Sequence, residues 1–219
     1  EAWLGDLLAD LAEGRVHRAR TVAVVAGSGG AGASVLAAGL AQVASREGTS
    51  TLVDLDPGGC GTDRLLGLDD REGLRWGGLV DVQGRLSARA LRDALPGDGG
   101  LRVLTFDTAA GDGPPPAPAV REVVAAAQRG SDVVVLDVPR DVGRTGVTEA
   151  IRLADLVVVC SRAAVLPVVA TARLTAGIRG LGVPLGLVVR TRTGSLDPDD
   201  VARALDLPLL AEVPTRRRT

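Results

Sequence analysis

The 219-residue sequence contains no methionine and no lysine, and all 25 of its basic residues are arginine. Without methionine the chain cannot start at its own initiator, which implies a piece of a longer protein. Without lysine, any chemistry that needs an ammonium group is either lost or moved to arginine, a planar and less adaptable cation. Aromatics are only 1% of the chain although 46% is hydrophobic, so the core must be built from Ala, Val and Leu. Such a core suits helices packed closely on a sheet better than an aromatic-rich sandwich.

Other scarcities exclude further classes. Histidine occurs once, and Cys60 and Cys160 stand far apart without CxxC spacing, which argues against a zinc site and a disulfide scaffold. No apolar run approaches the length that crosses a bilayer, and Glu1-Ala2-Trp3-Leu4 lacks the basic-then-apolar order of a signal peptide. The chain reads as cytoplasmic. A formal charge of −2 gives no general electrostatic case for nucleic acid. Arg15, Arg18 and Arg20, and the tail Thr215-Arg216-Arg217-Arg218-Thr219, are local basic clusters that read as solvated ends.

What is present is an alternation of strand and helix signals. Trp3, Leu4, Leu7, Leu8 and Leu11 have helical spacing, so residues 1–20 are expected to form a lead-in helix or linker and residues 21–219 a single domain. Strands are expected at about Val22–Ala26, Thr51–Leu55, Arg102–Phe106, Val133–Val138, Leu156–Cys160, Leu185–Arg190 and Leu209–Val213. Helices are expected near Ala33–Arg46, Ser87–Leu95, Ala119–Arg129, Gly143–Leu153, Ala164–Arg179 and Pro198–Leu205. Runs such as Val133-Val134-Val135-Leu136 suit strands covered on both faces. The fold class expected is therefore α/β, a mostly parallel β-sheet with helices on both faces. Gly111 to Pro118, with four prolines, reads as a surface loop.

Three segments carry chemistry. Gly27-Ser28-Gly29-Gly30-Ala31-Gly32-Ala33-Ser34 lies between the first strand and the first long helix, with GxxxxG spacing and a closing Ser. Glycines there let backbone N–H groups face phosphate oxygens, and the following helix N-terminus adds positive potential. Ala33 occupies the position of the Walker lysine. Asp54 and Asp56 end the second strand, and Asp137 ends a later one. In a parallel sheet the C-terminal strand ends converge, so these carboxylates can reach the site of Ser34, and hard oxygens beside phosphate are what Mg²⁺ takes.

In this order the segments resemble the deviant Walker A, Walker A′ and Walker B motifs of ParA/MinD ATPases, P-loop NTPases that carry KGGxGKT where this chain reads Ser28-Gly29-Gly30-Ala31-Gly32-Ala33-Ser34. The GGxGAS form is similar to the CpaE/TadZ branch and to actinobacterial septum site-determining (Ssd-like) proteins, and Leu74-Arg75-Trp76 and Gly84-Arg85-Leu86 resemble that second group. The resemblance implies that Gly29, Gly30, Ala31, Gly32, Ala33, Ser34 and Val35 bind ATP or ADP, and that Ser34, Asp54 and Asp137 serve Mg²⁺. It also implies that Asp56 positions the attacking water. Arg190 and Thr215-Arg216 depart from the Asn and Pro-x-Asp that the resemblance places near the base, which leaves adenine selectivity open.

Phosphoryl transfer depends on positioning and charge neutralisation, so losing both lysines implies at most a weak ATPase. Arg140 or Arg144 would be the arginines to substitute. The function implied is a nucleotide-binding positioning or regulatory protein in septum-site determination or in localising pilus or secretion machinery. Its partners would be proteins of those machineries and a second copy of itself, at a pole or septum, with no membrane segment in this chain. An interaction scaffold that binds no nucleotide and a slow arginine-assisted ATPase stay open beside it.

Overall fold

The computed structural model describes residues 18–81, 84–107 and 113–215. The lead-in helix expected at Trp3–Leu11, with Arg15, and the basic tail after Thr215 lie outside those residues. Eight strands form one sheet in the order β3-β4-β2-β5-β1-β6-β7-β8. They are β1 (Arg20–Ala26), β2 (Ser50–Asp54), β3 (Gly97–Asp98), β4 (Leu101–Leu104), β5 (Val133–Val138), β6 (Leu156–Arg162), β7 (Leu185–Thr191) and β8 (Leu209–Pro214). Every pairing is parallel except β3 with β4. The helices are α1 (Ala33–Glu47), α2 (Thr62–Leu66), α3 (Ala88–Ala94), α4 (Ala117–Gly130), α5 (Thr145–Leu153), α6 (Val165–Arg179) and α7 (Pro198–Leu205).

The composition explains the layers. The buried side of α1 is alanine alone, at Ala33, Ala37, Ala38 and Ala41, so the helix approaches the sheet closely over Val24, Leu52, Val135 and Val158. The opposite face carries α4 and α5 through Val120, Val123, Val124, Val147 and Ile151, with Ile178 of α6 in the same cluster. Val201 and Leu205 of α7 close over Leu187 and Val189. Strands covered on both faces have no reason to alternate, which is why β5 reads as an unbroken apolar run.

Within the described residues the elements expected from periodicity are present, with ends shifted by at most two residues. Two were not legible, β3 and α2, because two-residue strands and five-residue helices carry no period to read. A 3₁₀ turn at Trp76–Gly78 was also missed. The N-terminal end of β1 is anchored far from the strand C-termini. Asp155 accepts from the Thr21 N–H at 2.7 Å, the Gln128 amide donates to the Thr21 hydroxyl at 2.9 Å, and Arg18 donates to the Leu153 carbonyl at 3.1 Å. Arg18 and Arg20 therefore sit at the wrong end of the sheet to reach a ligand at the strand C-termini.

Trp76 is fully buried, its ring centroid 6.1 Å from that of Phe106, and its indole N–H donates to the Asp54 carbonyl at 2.6 Å. A buried indole needs a partner for that N–H. Here the partner is the last residue of β2, so a packing residue also fixes a strand end. Replacing Trp76 with Phe keeps a ring but removes the donor; the urea midpoint should fall by the equivalent of about 2 kcal/mol with an unchanged m-value. An unchanged midpoint would mean that the bond holds nothing in place.

Candidate functional site

The loop from Gly27 to Gly32 joins β1 to α1 at the C-terminal edge of the sheet, as expected. Gly30 and Gly32 have φ of 69° and 89°, conformations that side-chain-bearing residues rarely adopt. Gly27 is a glycine for another reason, since a Cβ there would overlap the Thr171 side chain on α6. The Ala31 N–H turns back to the Ser28 carbonyl at 3.3 Å. Among the described residues no acceptor meets the N–H groups of Gly29, Gly30, Gly32, Ala33, Ser34 or Val35. Helix α1 has no side-chain cap and no acidic residue in its first turn. Six free donors at the start of a 15-residue helix fit an anion. The Ser28 hydroxyl, buried in the same loop, likewise has no partner among the described residues, which fits a loop shaped to receive a polar group.

The three carboxylates follow from strand register. Val24, Asp137 and Asp54 are successive partners across β1, β5 and β2. Val24 packs beneath α1, so both carboxylates lie on the P-loop face. Asp54 is tied into its own loop: one oxygen accepts from the Asp56 N–H, the other from the Thr62 N–H and the Thr105 hydroxyl, each at 3.0 Å. Burial nonetheless raises its pKa, opposed by those three bonds. Asp137 has far less support. Burial first, then the Asp54 charge, pushes it up to about 7, and the Ser34 hydroxyl bond opposes this. The structure thus brings Ser34 and Asp137 into contact, while Asp54 reaches the site through the loop it organises.

Asp56 is half-buried and accepts from the Gly58 N–H at 3.0 Å. It lines a cavity of about 190 Å³ with Gly59, Cys60, Asp63, Arg64 and Thr105. Among the described residues no group of three acidic, Cys or His side chains could hold a metal by itself. A divalent ion here would take the Ser34 oxygen, waters and phosphate, as Mg²⁺ commonly does. Beside the loop an apolar cavity of about 390 Å³ runs along Gly32, Val35 and Gly39 of the α1 side, floored by Cys160 and Val188 and edged by Pro214. Its size and lining suit a nucleoside. The Cys160 thiol in that floor is pushed up to about 12 by burial and by Asp137, which leaves it inert.

Of the arginines considered as replacements for lysine, Arg144 is held by Asp141 at 2.7 Å, and Arg140 lines a separate cavity with Arg173. The arginine that touches the P-loop is Arg190, whose guanidinium donates to the Gly30 carbonyl at 3.2 Å and to the Thr215 hydroxyl at 3.0 Å. Sequence reasoning marked Arg190 only as a departure from a motif. Its contact depends on how far β7 runs beside β6, which no local signal states.

No protein-family model matches the chain. Two proteins of Mycobacterium tuberculosis, from strains CDC 1551 / Oshkosh and H37Rv and both described only as uncharacterized, are 40% identical over 98% of this chain. The chain spans 61% of their length. Among solved structures it is similar to a ParA family ATPase of Chlorobium tepidum, with a TM-score of 0.76 and 15% identity over 91% of this chain and 85% of that one. It is also similar to the septum site-determining protein MinD of Pyrococcus horikoshii, complexed with Mg-ADP, with a TM-score of 0.73 and 19% identity over 90% of this chain and 81% of that one. MinD in the MinC:MinD complex of Aquifex aeolicus gives a TM-score of 0.73 and 19% identity over 90% and 82% of the two chains. The fold is that of the ParA/MinD P-loop NTPases.

The carboxylate pair makes a signed prediction about pH. A carboxyl whose folded pKa is raised favours the folded state at low pH, and that contribution is lost as pH climbs from about 4 to about 7. Without divalent cation, Asp137→Asn should therefore be more stable than wild type at pH 8, by up to about 4 kcal/mol, and the gap should close toward pH 4. Parallel unfolding curves for the two proteins at every pH would refute the assignment.

Proposed function

We propose that this domain binds a nucleoside polyphosphate with Mg²⁺ and acts as a nucleotide-responsive positioning protein of the ParA/MinD type, with weak or absent hydrolysis. The observation that carries the reading is the meeting of one loop with six free N–H groups and the Ser34, Asp137, Asp54 and Asp56 side chains at the strand C-termini. In it, Gly29 to Val35 hold the phosphates, with Ala31 contributing through loop shape because its own N–H turns inward. Ser34 would ligate the Mg²⁺, Asp137 and Asp54 would hold its waters, and Asp56 would orient the attacking water wherever hydrolysis occurs at all. Bound Mg²⁺ would neutralise charge on the phosphates.

The missing lysines bear on rate more than on binding. Loss of a single charge-stabilising donor reduces phosphoryl or acyl transfer on the order of a hundredfold to a hundred-thousandfold, whereas the backbone donors are unaffected. A cycle of nucleotide-dependent recruitment with slow turnover fits such a site. The GGxGAS loop supports a place beside the CpaE/TadZ and Ssd-like branches, and hence a role in septum-site determination or in localising pilus or secretion machinery. Partners on this reading are protein components of those machineries and a second copy of the chain. The site of action is the cytoplasm, with recruitment to a pole or septum.

Calorimetric titration of ATP and ADP, with and without Mg²⁺, tests the proposal. Saturable binding is expected, with Ser34→Ala reducing affinity about tenfold in Mg²⁺ and hardly at all in EDTA. ATP turnover should stay near background and be unchanged by Asp56→Ala. No binding at millimolar nucleotide would leave an interaction scaffold as the reading, and robust turnover abolished by Asp56→Ala would overturn the claim of weak hydrolysis.

A further inference from the structure

A chain without lysine can meet phosphate only with arginine or with backbone, and three arginines stand together at the tip of the P-loop. Arg162 at the end of β6 and Arg190 near the end of β7 are direct partners across that parallel pair. Arg192 follows just past the end of β7, where the Ser195 N–H closes a turn on its carbonyl at 3.0 Å. Two residues before Arg162 and Arg190 are Cys160 and Val188, also partners, which pack in the cluster beneath α1. The Arg162 and Arg190 side chains therefore start from the P-loop face of the sheet, and Arg192 joins them at the same cavity.

They line a cavity of about 230 Å³ together with Gly30, Ala164 and Thr215, and among the described residues no acidic side chain lines it. Arg190 is committed to the Gly30 carbonyl and the Thr215 hydroxyl. Among the described residues, no acceptor or carboxylate meets the guanidinium of Arg162 or of Arg192. Ala164, the residue that opens the 15-residue α6, gives that helix no side-chain cap, so its dipole adds to the positive potential. Three like charges around one concavity repel each other, and an anion relieves that repulsion. Guanidinium groups match phosphate oxygens through paired N–H donors.

We infer that this cavity is a phosphate site in which Arg162 and Arg192 contact the phosphate chain, beyond its first phosphate, of a nucleotide seated in the P-loop. Arg190 is a positioning residue that holds the loop tip from its carbonyl side. Positive charge that a P-loop ordinarily supplies from its own lysine is here supplied from the ends of β6 and β7. The inference rests on the nucleotide-binding reading and names the groups that make it work without lysine.

The test compares ATP and AMP, each with Mg²⁺, on the full chain. Arg192 is exposed, so Arg192→Gln should leave the melting temperature unchanged. Arg162 is half-buried and is read both as Arg162→Gln and as the charge-keeping Arg162→Lys. Each glutamine variant should weaken ATP binding about tenfold while shifting AMP less than twofold, and Arg162→Lys should recover most of the loss. Glutamine variants that bind ATP as well as wild type, or that lose ATP and AMP equally, overturn the phosphate site and leave the nucleotide reading intact. Wild type that binds neither nucleotide overturns the nucleotide reading, and the phosphate site with it.

Discussion

Asp54 and Asp137 are neighbours across two parallel strands, both out of water, and two carboxylates so placed cannot both stay ionised without compensation. Much of the local architecture is that compensation. Three donors converge on Asp54 from the loop after β2, from the start of α2 and from the residue after β4, while the Trp76 indole holds its carbonyl. Asp137 receives one hydroxyl from the first turn of α1. The inequality matters, because the supported carboxylate organises a loop and the poorly supported one is left responsive to whatever charge enters the site.

The P-loop supplies the complementary half. Its free N–H groups and uncapped helix favour negative charge, on the same face of the sheet as carboxylates that favour positive charge. A nucleoside polyphosphate with a divalent cation satisfies both at once. The alanine-only face of α1 serves the same end, since a helix seated close to the sheet brings Ser34 within reach of Asp137. Composition that looked merely aromatic-poor is thus part of the geometry of the site.

The absence of lysine changes where positive charge comes from. An ammonium on the P-loop would move with the loop, whereas Arg162 and Arg190 are mounted on adjacent strands in fixed register. Charge held on the sheet in this way adds positive potential beside the P-loop, as the proposed binding of a polyphosphate requires.

The sequence by itself determined the layers and the motifs. Unbroken Val and Leu runs marked strands covered on both faces, glycine spacing placed the P-loop between β1 and α1, and Asp54, Asp56 and Asp137 were legible because each lies at or just past the C-terminal end of a strand in a parallel sheet. Such signals are local, and local periodicity is what a sequence displays. Only the tertiary structure decided which groups face one another: that Asp54 is spent on Thr62 and Thr105, that Trp76 donates to a strand end 22 residues away in the chain, and that Arg190 lies on Gly30 across 160 residues. Those contacts depend on strand order and register, which are fixed by the closing of the whole sheet and leave no trace in the spacing of neighbouring residues.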